Sequence, residues 1–500
     1  MTRDLILSID QGTTNTKACL VDVAGEVVAS ASVAVGVRFP RPGWVESDAV
    51  ELWRTVTQAI EGCLARTTSH AARVAGVGIA NQRESVVLWE RATGRPVGPV
   101  VSWQCRRSIE LCERVRASGA EELVRVRTGL ALDPMFSATK ARWLLDQVPD
   151  GTARADRGEL CVGTIDTWLS WNLSGGTAFV TDATNASRTL LLDLQALAWD
   201  DELLGVFGIP RSALPAIHGS GALVGETQAV AGLPAGVPIG AVIGDSHAAL
   251  VGHGFPGPGS VKATFGTGTS VMAPLTVPAR DPRLSATVAW SREVAGGISA
   301  VPALEGNIVA TGAAIAWVAG ITGHEGRAEE VEALAGSVPD AGGAYLVPAF
   351  AGLGAPHWDA DARGLVCGLT RGTTQGHLAR AAFDAVAYQV RDVLEVLGPA
   401  VGAPLTALYA DGGAIRSDLL ARITADMTGL PLVRSRVDSL AAMGAAYLAG
   451  LTVGCWSSTD EVRELVRVTD RVEPDEVPAT DDGYAGWRAA LGRAAGRLVA

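Results

Sequence analysis

The stretch SIDQGTTNTKACLVD, residues 8–22, decides how the rest of the chain is read. The apolar run LILSI (5–9) breaks on Asp10, passes through a turn of glycine, threonine and asparagine, and resumes as ACLVD. Glycine and small hydroxyl residues let backbone N–H groups crowd an anion, which makes the turn a candidate phosphate loop. The GxxxxGK[ST] spacing of the P-loop is absent, and no helical periodicity follows. On this stretch alone two readings stand: a phosphate-holding turn between two strands, and an ordinary β-hairpin with a polar tip.

Working outward, short strands are expected at 4–9, 18–23, 26–33, 74–80 and 96–103, and helical periodicity runs through 49–65, 106–117 and 137–147. After about residue 240 the scheme restarts. AVIGD (241–245) leads into a helix, AALVGHG, and SVKATFGTGTSVMAPL (260–275) sets a second Gly-Thr turn between two apolar runs. TALYADGGAIRSDLLARITADM (406–427) is strand, DGGA turn and amphipathic helix, and 376–397 is the longest periodic stretch. Two Gly-Thr hairpins and a third glycine turn are what an ATP clamp across an interdomain cleft requires. The hairpins hold phosphates by amides and hydroxyls, and the DGGA turn lets adenosine approach the backbone. The expected architecture is therefore α/β with two domains, 1–245 and 246–500, and a cleft between them.

Composition narrows the class. Five hundred residues exceed what one core organises, and 48% hydrophobic with 19% charged residues describes a globular chain. A net charge of -12 argues against nucleic acid as a partner, while a small anionic ligand feels only local charge. Seven cysteines, odd in number and without a CxxC, point to free thiols in a reducing compartment. There is no basic-then-apolar leader, and no apolar run reaches the roughly 20 residues of a membrane span, so a cytoplasmic location without membrane contact is expected. Of the 41 basic residues only Lys17, Lys140 and Lys262 are lysines. Lys17 follows the first Gly-Thr turn and Lys262 precedes the second, where a compact ammonium suits phosphate.

With these motifs in place, the chain resembles the FGGY family of carbohydrate kinases, most closely its glycerol kinases, over essentially its whole length. The resemblance is carried by SIDQGTTNTK (8–17), RPGWVESDAVELW (41–53), NQRES (81–85), ATGRPVGPVVSWQCRR (92–107) and DPMFSATKARWLLD (133–146). It continues through TDATNASRTLL (181–191), GDSHAALVG (244–252), FGTGTS (265–270) and FAGLGAPHWDADARG (350–364). It implies two domains of the actin/hexokinase/Hsp70 (ribonuclease H-like) type, ATP with Mg²⁺, and phosphoryl transfer to a sugar or polyol hydroxyl. It also implies a homo-oligomer, dimer or tetramer. Asp245 matches the family's general base, and the resemblance makes it a second candidate carboxylate for the metal. Asp10 matches the carboxylate that holds Mg²⁺ through water. Thr13, Thr14, Asn15 and Lys17 match the first phosphate turn, and Gly266, Thr267 and Gly268 the second. Gly312, Gly413 and Ser417 fall at nucleotide-binding positions. Arg83 and Glu84 match the pair that grips vicinal hydroxyls, and Trp103 the indole that covers the carbon chain.

Three positions depart from the glycerol kinase pattern. The tyrosine of DPYF is Met135, the glutamine after the base is Ser246 with His247 following, and the phenylalanine after the second turn is Ser270. Two aromatic walls and a long amide are lost, so a wider, more polar pocket and a four- or five-carbon polyol are expected. Glycerol itself and a ketose of the xylulose or ribulose type are the alternatives. His247 is weighed both as a substrate contact and as a structural residue. The short, uncharged AGLPAGVP (231–238) lacks the arginine of a fructose-bisphosphate loop. A sugar-sensing repressor would need a basic helix-turn-helix ahead of the first strand, and a catalytically dead relative would have lost Asp10 or Asp245; both aspartates stand.

Overall fold

The computed structural model describes residues 3–66, 71–435, 437, 439–466, 470–475 and 481–495. The chain forms two compact units. Unit 1 comprises Met1–Phe255, Ala286–Pro302 and Ser439–Val466, and unit 2 comprises Pro256–Ser285, Ala303–Asp438 and Arg467–Ala500. The helix after Gly244 is counted with unit 1, and the chain re-enters that unit twice.

Unit 1 is built on six strands: β1 (Leu5–Gln11), β2 (Asn15–Asp22), β3 (Val27–Ala34), β4 (Val74–Asn81), β5 (Gly225–Glu226) and β6 (Pro238–Gly244). Their order across the sheet is β5-β6-β4-β1-β2-β3. β1, β2 and β3 form an antiparallel meander, while β4 lies parallel to β1 and β6 parallel to β4. Period-2 alternation on β1 serves two cores. Leu5, Leu7 and Ile9 pack with Leu52, Val56 and Ile60 of the helix Ala49–Leu64, whereas Ile6 joins Met443 and Ala446 of the helix Leu440–Val453. On that second face Ser8 donates to the Ala442 carbonyl at 2.5 Å, so a hydroxyl in mid-strand is satisfied. Gly444 lets the helix Leu440–Val453 cross close over the helix Asp245–Gly252; a Cβ there would fall onto the Ala248 carbonyl and lie 2.9 Å from the Gly252 nitrogen.

A second, four-stranded sheet is made of Glu46–Ser47, which lies between β3 and β4, and of Val100–Val101, Val86–Glu90 and Leu160–Thr164, inserted between β4 and β5 with helices that include Ser137–Asp146. Its core holds Leu88, Phe136 and Leu144.

Unit 2 repeats the plan. β7 (Ser260–Phe265), β8 (Thr269–Pro274) and β9 (Gly297–Ile308, paired through 303–308) form the meander, and β10 (Ala407–Asp411), β11 (Leu432–Arg434) and β12 (Asp470–Val472) extend it. The order is β9-β8-β7-β10-β11-β12, with β10 parallel to β7 and β11 parallel to β10. A meander flanked by two parallel strands on the side of its first strand is the ribonuclease H-like arrangement, and it occurs here twice. The helix Gln375–Val401 packs in this unit.

All seven cysteines are unbridged: Cys19, Cys63, Cys105, Cys112 and Cys161 are buried in unit 1, and Cys367 and Cys455 are half-buried. Burial pushes the thiols of Cys19 and Cys112 up to about 12 and that of Cys63 up to about 11. Among the described residues no helix is long and apolar enough to cross a membrane.

Candidate active site

Three neighbouring parallel strands of unit 1 end together. Asp10 on β1 stands opposite Ala80 of β4, and Gly244, the last residue of β6, stands opposite Asn81. Asp10, the Arg83–Glu84 turn and Asp245 therefore project from the carboxyl ends of adjacent strands, the place where open α/β sheets bind ligands. The opening stretch is a true hairpin: β2 follows directly, and Gly12 N–H closes the turn on the Asn15 carbonyl at 2.9 Å. Thr14 and Asn15 are exposed at its tip, and Lys17 sits directly across from Asp10.

The arginine and glutamate of NQRES part company. Arg83 runs over Gly244 to place Nε 3.4 Å from Asp245 Oδ1. A Cβ on Gly244 would lie 2.7 Å from Arg83 Cδ and 2.9 Å from the His247 ring, so only glycine leaves this path open. Glu84 sits at φ 60°, the centre of a tight turn in which Ser85 N–H bonds the Arg83 carbonyl at 2.7 Å. A non-glycine residue in that region is strained and is held by its surroundings. What holds it is Arg188, fully buried, whose Nε donates to Glu84 Oε1 at 2.7 Å and whose guanidinium lies 5.0 Å from the Phe136 ring. Arg188 has no counterpart in the sequence reading; the signal was a lone arginine closing the small, polar stretch TDATNASR.

Trp103 is half-buried and donates through Nε1 to Thr13 Oγ1 at 3.0 Å, fastening the indole to the first Gly-Thr turn. Met135 is half-buried at the edge of the inserted core. Its turn is gathered by buried Lys140, whose ammonium donates to the carbonyls of Pro134 (3.0 Å), Met135 and Phe136 (2.8 Å). Lys140 thus serves carbonyl oxygens, and burial brings its ammonium down to about 8.

Asp245 opens the helix Asp245–Gly252, and its Oδ1 accepts from Ser246 N–H at 2.6 Å. Ser246 is buried. His247 is fully buried, with Nε2 3.2 Å from Thr287 Oγ1. Ser187 spends its single hydroxyl proton on the Thr184 carbonyl and lies 2.8 Å from Thr287, so Thr287 donates to Ser187 and accepts from His247. In that pattern His247 donates through Nε2 to Thr287, and its buried ring braces the turn from below.

The carboxyl of Asp10 is pushed up to about 6, by burial first and by the negative charge of Asp245 second, against the pull of Lys17 and of Ser439, 3.4 Å away. Two carboxylates that oppose each other's ionisation suit a cation. Among the described residues no group of three or more His, Cys, Asp and Glu side chains gathers for a metal, so a divalent ion here would rely on these two, water and phosphate oxygens.

Unit 2 makes a second grouping on its own sheet. Gly266, Thr267 and Gly268 turn between β7 and β8, and the N–H groups of Thr311, Gly312 and Ala313 bond back to the carbonyls of Thr267 (2.9 Å), Gly266 (3.0 Å) and Thr267 (3.2 Å). Gly312 therefore clasps the turn and starts the helix Gly312–Ile321. The turn at Gly412 and Gly413 follows β10, the parallel neighbour of β7, and Thr264 Oγ1 to Asp411 Oδ2 at 3.0 Å ties the two strand ends. Gly413 is exposed, while Ser417 caps the helix Asp418–Thr428 by accepting from Leu420 N–H at 3.0 Å. Ser270 donates to Glu305 Oε1 at 2.6 Å, with Asn307 directly opposite it on β9.

Comparison with known proteins agrees with this geometry. Residues 5–252 match the N-terminal domain of the FGGY family of carbohydrate kinases, and residues 261–453 its C-terminal domain. The chain is 46% identical over 494 residues to a glycerol kinase of Stenotrophomonas maltophilia, covering 98% of each. It is 45% identical, with the same coverage, to an apulose kinase of Pectobacterium atrosepticum. The crystal structure of Plasmodium falciparum glycerol kinase with ADP superposes with a TM-score of 0.91 at 28% identity, covering 100% of this chain and 99% of the other. The duplicated sheets, the paired strand-end turns and the full-length matches agree: the chain belongs to the FGGY family of carbohydrate kinases.

Proposed function

We propose that the chain transfers a phosphoryl group from ATP, the donor its family uses, to a terminal hydroxyl of a four- or five-carbon polyol. Unit 1 supplies the acceptor side. Asp245 is the general base, Arg83 orients it and contacts hydroxyls, and Glu84, held by Arg188, accepts from them. Trp103 covers the carbon chain. The acceptor oxygen attacks the γ-phosphorus, its proton passes to the Asp245 carboxylate, and the bond to the β,γ-bridging oxygen breaks to release ADP. Bound Mg²⁺, held by Asp10 with Asp245 beside it, would supply charge neutralisation at the phosphates. Thr13, Thr14, Asn15 and Lys17 of unit 1, and Gly266, Thr267, Gly268, Gly312 and Gly413 of unit 2, serve the nucleotide; Ser417 acts through the helix it caps.

One observation carries the choice of acceptor. Where the family pattern has a phenylalanine, half-buried Ser270 gives its hydroxyl proton to the fully buried Glu305 carboxylate at 2.6 Å, which leaves the Ser270 oxygen as an acceptor. That oxygen can accept from an extra substrate hydroxyl, which three-carbon glycerol lacks there. The 45% identical apulose kinase also supports a sugar with more than three carbons, whereas the 46% identical glycerol kinases support glycerol.

A side-by-side measurement of kcat/KM for glycerol, erythritol, xylitol and D-xylulose with ATP tests this. Erythritol or xylitol should exceed glycerol, and Ser270→Phe should swing the ratio back by roughly 10- to 200-fold, the range that apolar pocket contacts discriminate. Glycerol as the best acceptor of the unaltered protein would overturn the choice, and D-xylulose as the best would make it a ketose kinase.

A further inference from the structure

Beneath the strand ends of unit 1 lies a buried polar network centred on Asp182, which N-caps the short helix Ala183–Ala186. The Asp182 carboxylate accepts from Thr184 N–H (3.0 Å), Thr184 Oγ1 (2.7 Å), Asn185 N–H (2.9 Å), Asn185 Nδ2 (2.9 Å) and Ser220 Oγ (2.7 Å). Asp182, Thr184, Asn185 and Ser220 are all fully buried. Five donors and no acceptor among these contacts suit an ionised carboxylate.

Two arms leave this centre. Thr184 gives its only hydroxyl proton to Asp182, so its oxygen turns a lone pair to Gly244 N–H at 2.9 Å, one residue before Asp245. Asn185 exchanges amide bonds with Asn81, at 2.9 and 3.1 Å, and Asn81 Nδ2 reaches the Gln82 carbonyl at 2.8 Å, one residue before Arg83. Gln82 then donates through Nε2 to Gln11 Oε1 at 3.0 Å, one residue after Asp10. The Thr184 arm thus ends on the backbone beside Asp245, and the Asn185 arm reaches the backbone beside Arg83 and ends on the Gln11 side chain beside Asp10.

We propose that Asp182, through Thr184 and Asn185, is the positioning residue of the phosphoryl-transfer site: the Thr184 arm sets the base, and the Asn185 arm sets the acceptor-gripping turn. This rests on Asp245 being the base. The two arms then have separable signatures, which a scaffold role would not give.

The experiment compares Thr184→Val, Thr184→Ser, Asn185→Ala, Asp182→Asn and Asp245→Asn in the full chain. Steady-state kinetics use ATP with glycerol and with erythritol, and calorimetry measures binding of each polyol alone. Thr184→Val should lower kcat by about 10- to 100-fold, as small misplacements of a reacting group do, with polyol Kd within about twofold. Thr184→Ser keeps the hydroxyl and should stay within about threefold of the unaltered kcat. Asn185→Ala should instead raise polyol Kd. Unaltered kcat in Thr184→Val, failure of Thr184→Ser to restore it, or the same ratio of kcat to Kd effects in both arms would overturn the proposal. Should Thr184→Val fail to fold, the near-isosteric Asp182→Asn decides: its amide must turn a donor toward Thr184 or Ser220, and an unaltered kcat would overturn the proposal equally. Asp245→Asn separates the two readings. Turnover retained there removes the base assignment, whereas loss of turnover there beside an unaffected Thr184→Val removes only the positioning role.

Discussion

Asp10 ends an otherwise apolar strand with a carboxyl that titrates near 6. Because this value lies above the ordinary 3.8, the native state keeps the proton where the unfolded chain has lost it. Ionising Asp10 therefore costs native stability as pH rises from about 4 to 6, and the cost is complete above 6. A bound divalent cation offsets that cost, so metal binding releases a proton below pH 6. Mg²⁺ affinity in the presence of ADP should rise about tenfold per pH unit up to about 6 and flatten above it. Calorimetric titration from pH 5 to 8 checks this, and Asp10→Asn should bind weakly with no such slope. At this scale the motifs named Asp10, Asp245, Arg83 and Glu84, and the fold brings all four to neighbouring strand ends of one sheet. The sequence was silent where the partner is remote. Arg83 and Glu84 are adjacent in sequence, yet their charges are answered by Asp245 and by Arg188, 104 residues beyond Glu84.

Helices and strands were legible for a different reason: periodicity is local. The helices expected at 49–65 and 137–147 run Ala49–Leu64 and Ser137–Asp146, and that at 376–397 runs Gln375–Val401. The strand expected over 96–103 shrinks to Val100–Val101, because Pro96 makes only an isolated bridge to Trp89 and the ladder is continuous at those two residues alone. What periodicity cannot show is which helix lies on which. The helix Leu440–Val453 is apolar all round, and its close pairing with the helix Asp245–Gly252, which carries the proposed base, depends on Gly444. Gly444→Ala forces the two helices apart. It should lower stability by about 1–3 kcal/mol, the usual cost of overpacking, and lower kcat because Asp245 moves with its helix. Thermal denaturation alongside steady-state kinetics measures both; a lowered Tm with unchanged kcat would show that the base is held by its strand alone.

For the whole molecule, the restart of the pattern after residue 240 is a repeated topology, with order 3-2-1-4-5 in each unit and an antiparallel strand at the edge. The turns that follow the first strand of each repeat, at 12–14 and 266–268, are the two Gly-Thr turns that the sequence singled out. The returns of 286–302 and 439–466 to unit 1 were not legible, since long-range pairing leaves no mark on a single sequence. The buried thiols carry a consequence for watching this molecule breathe. Cys63 and Cys161 lie in the cluster under the first sheet face, Cys105 and Cys112 in the inserted core, and Cys19 in the cluster beneath the helix Asp245–Gly252. Each core of unit 1 thus contains its own natural clock, because a maleimide or disulfide probe can reach the sulfur only when that core opens. Labelling followed by peptide mass spectrometry should find Cys367 and Cys455 modified first, then the five buried thiols at rates that rank the opening of the three cores. Saturating polyol should slow the clock at Cys19 most, since the helix that carries Asp245 forms one wall of its cluster.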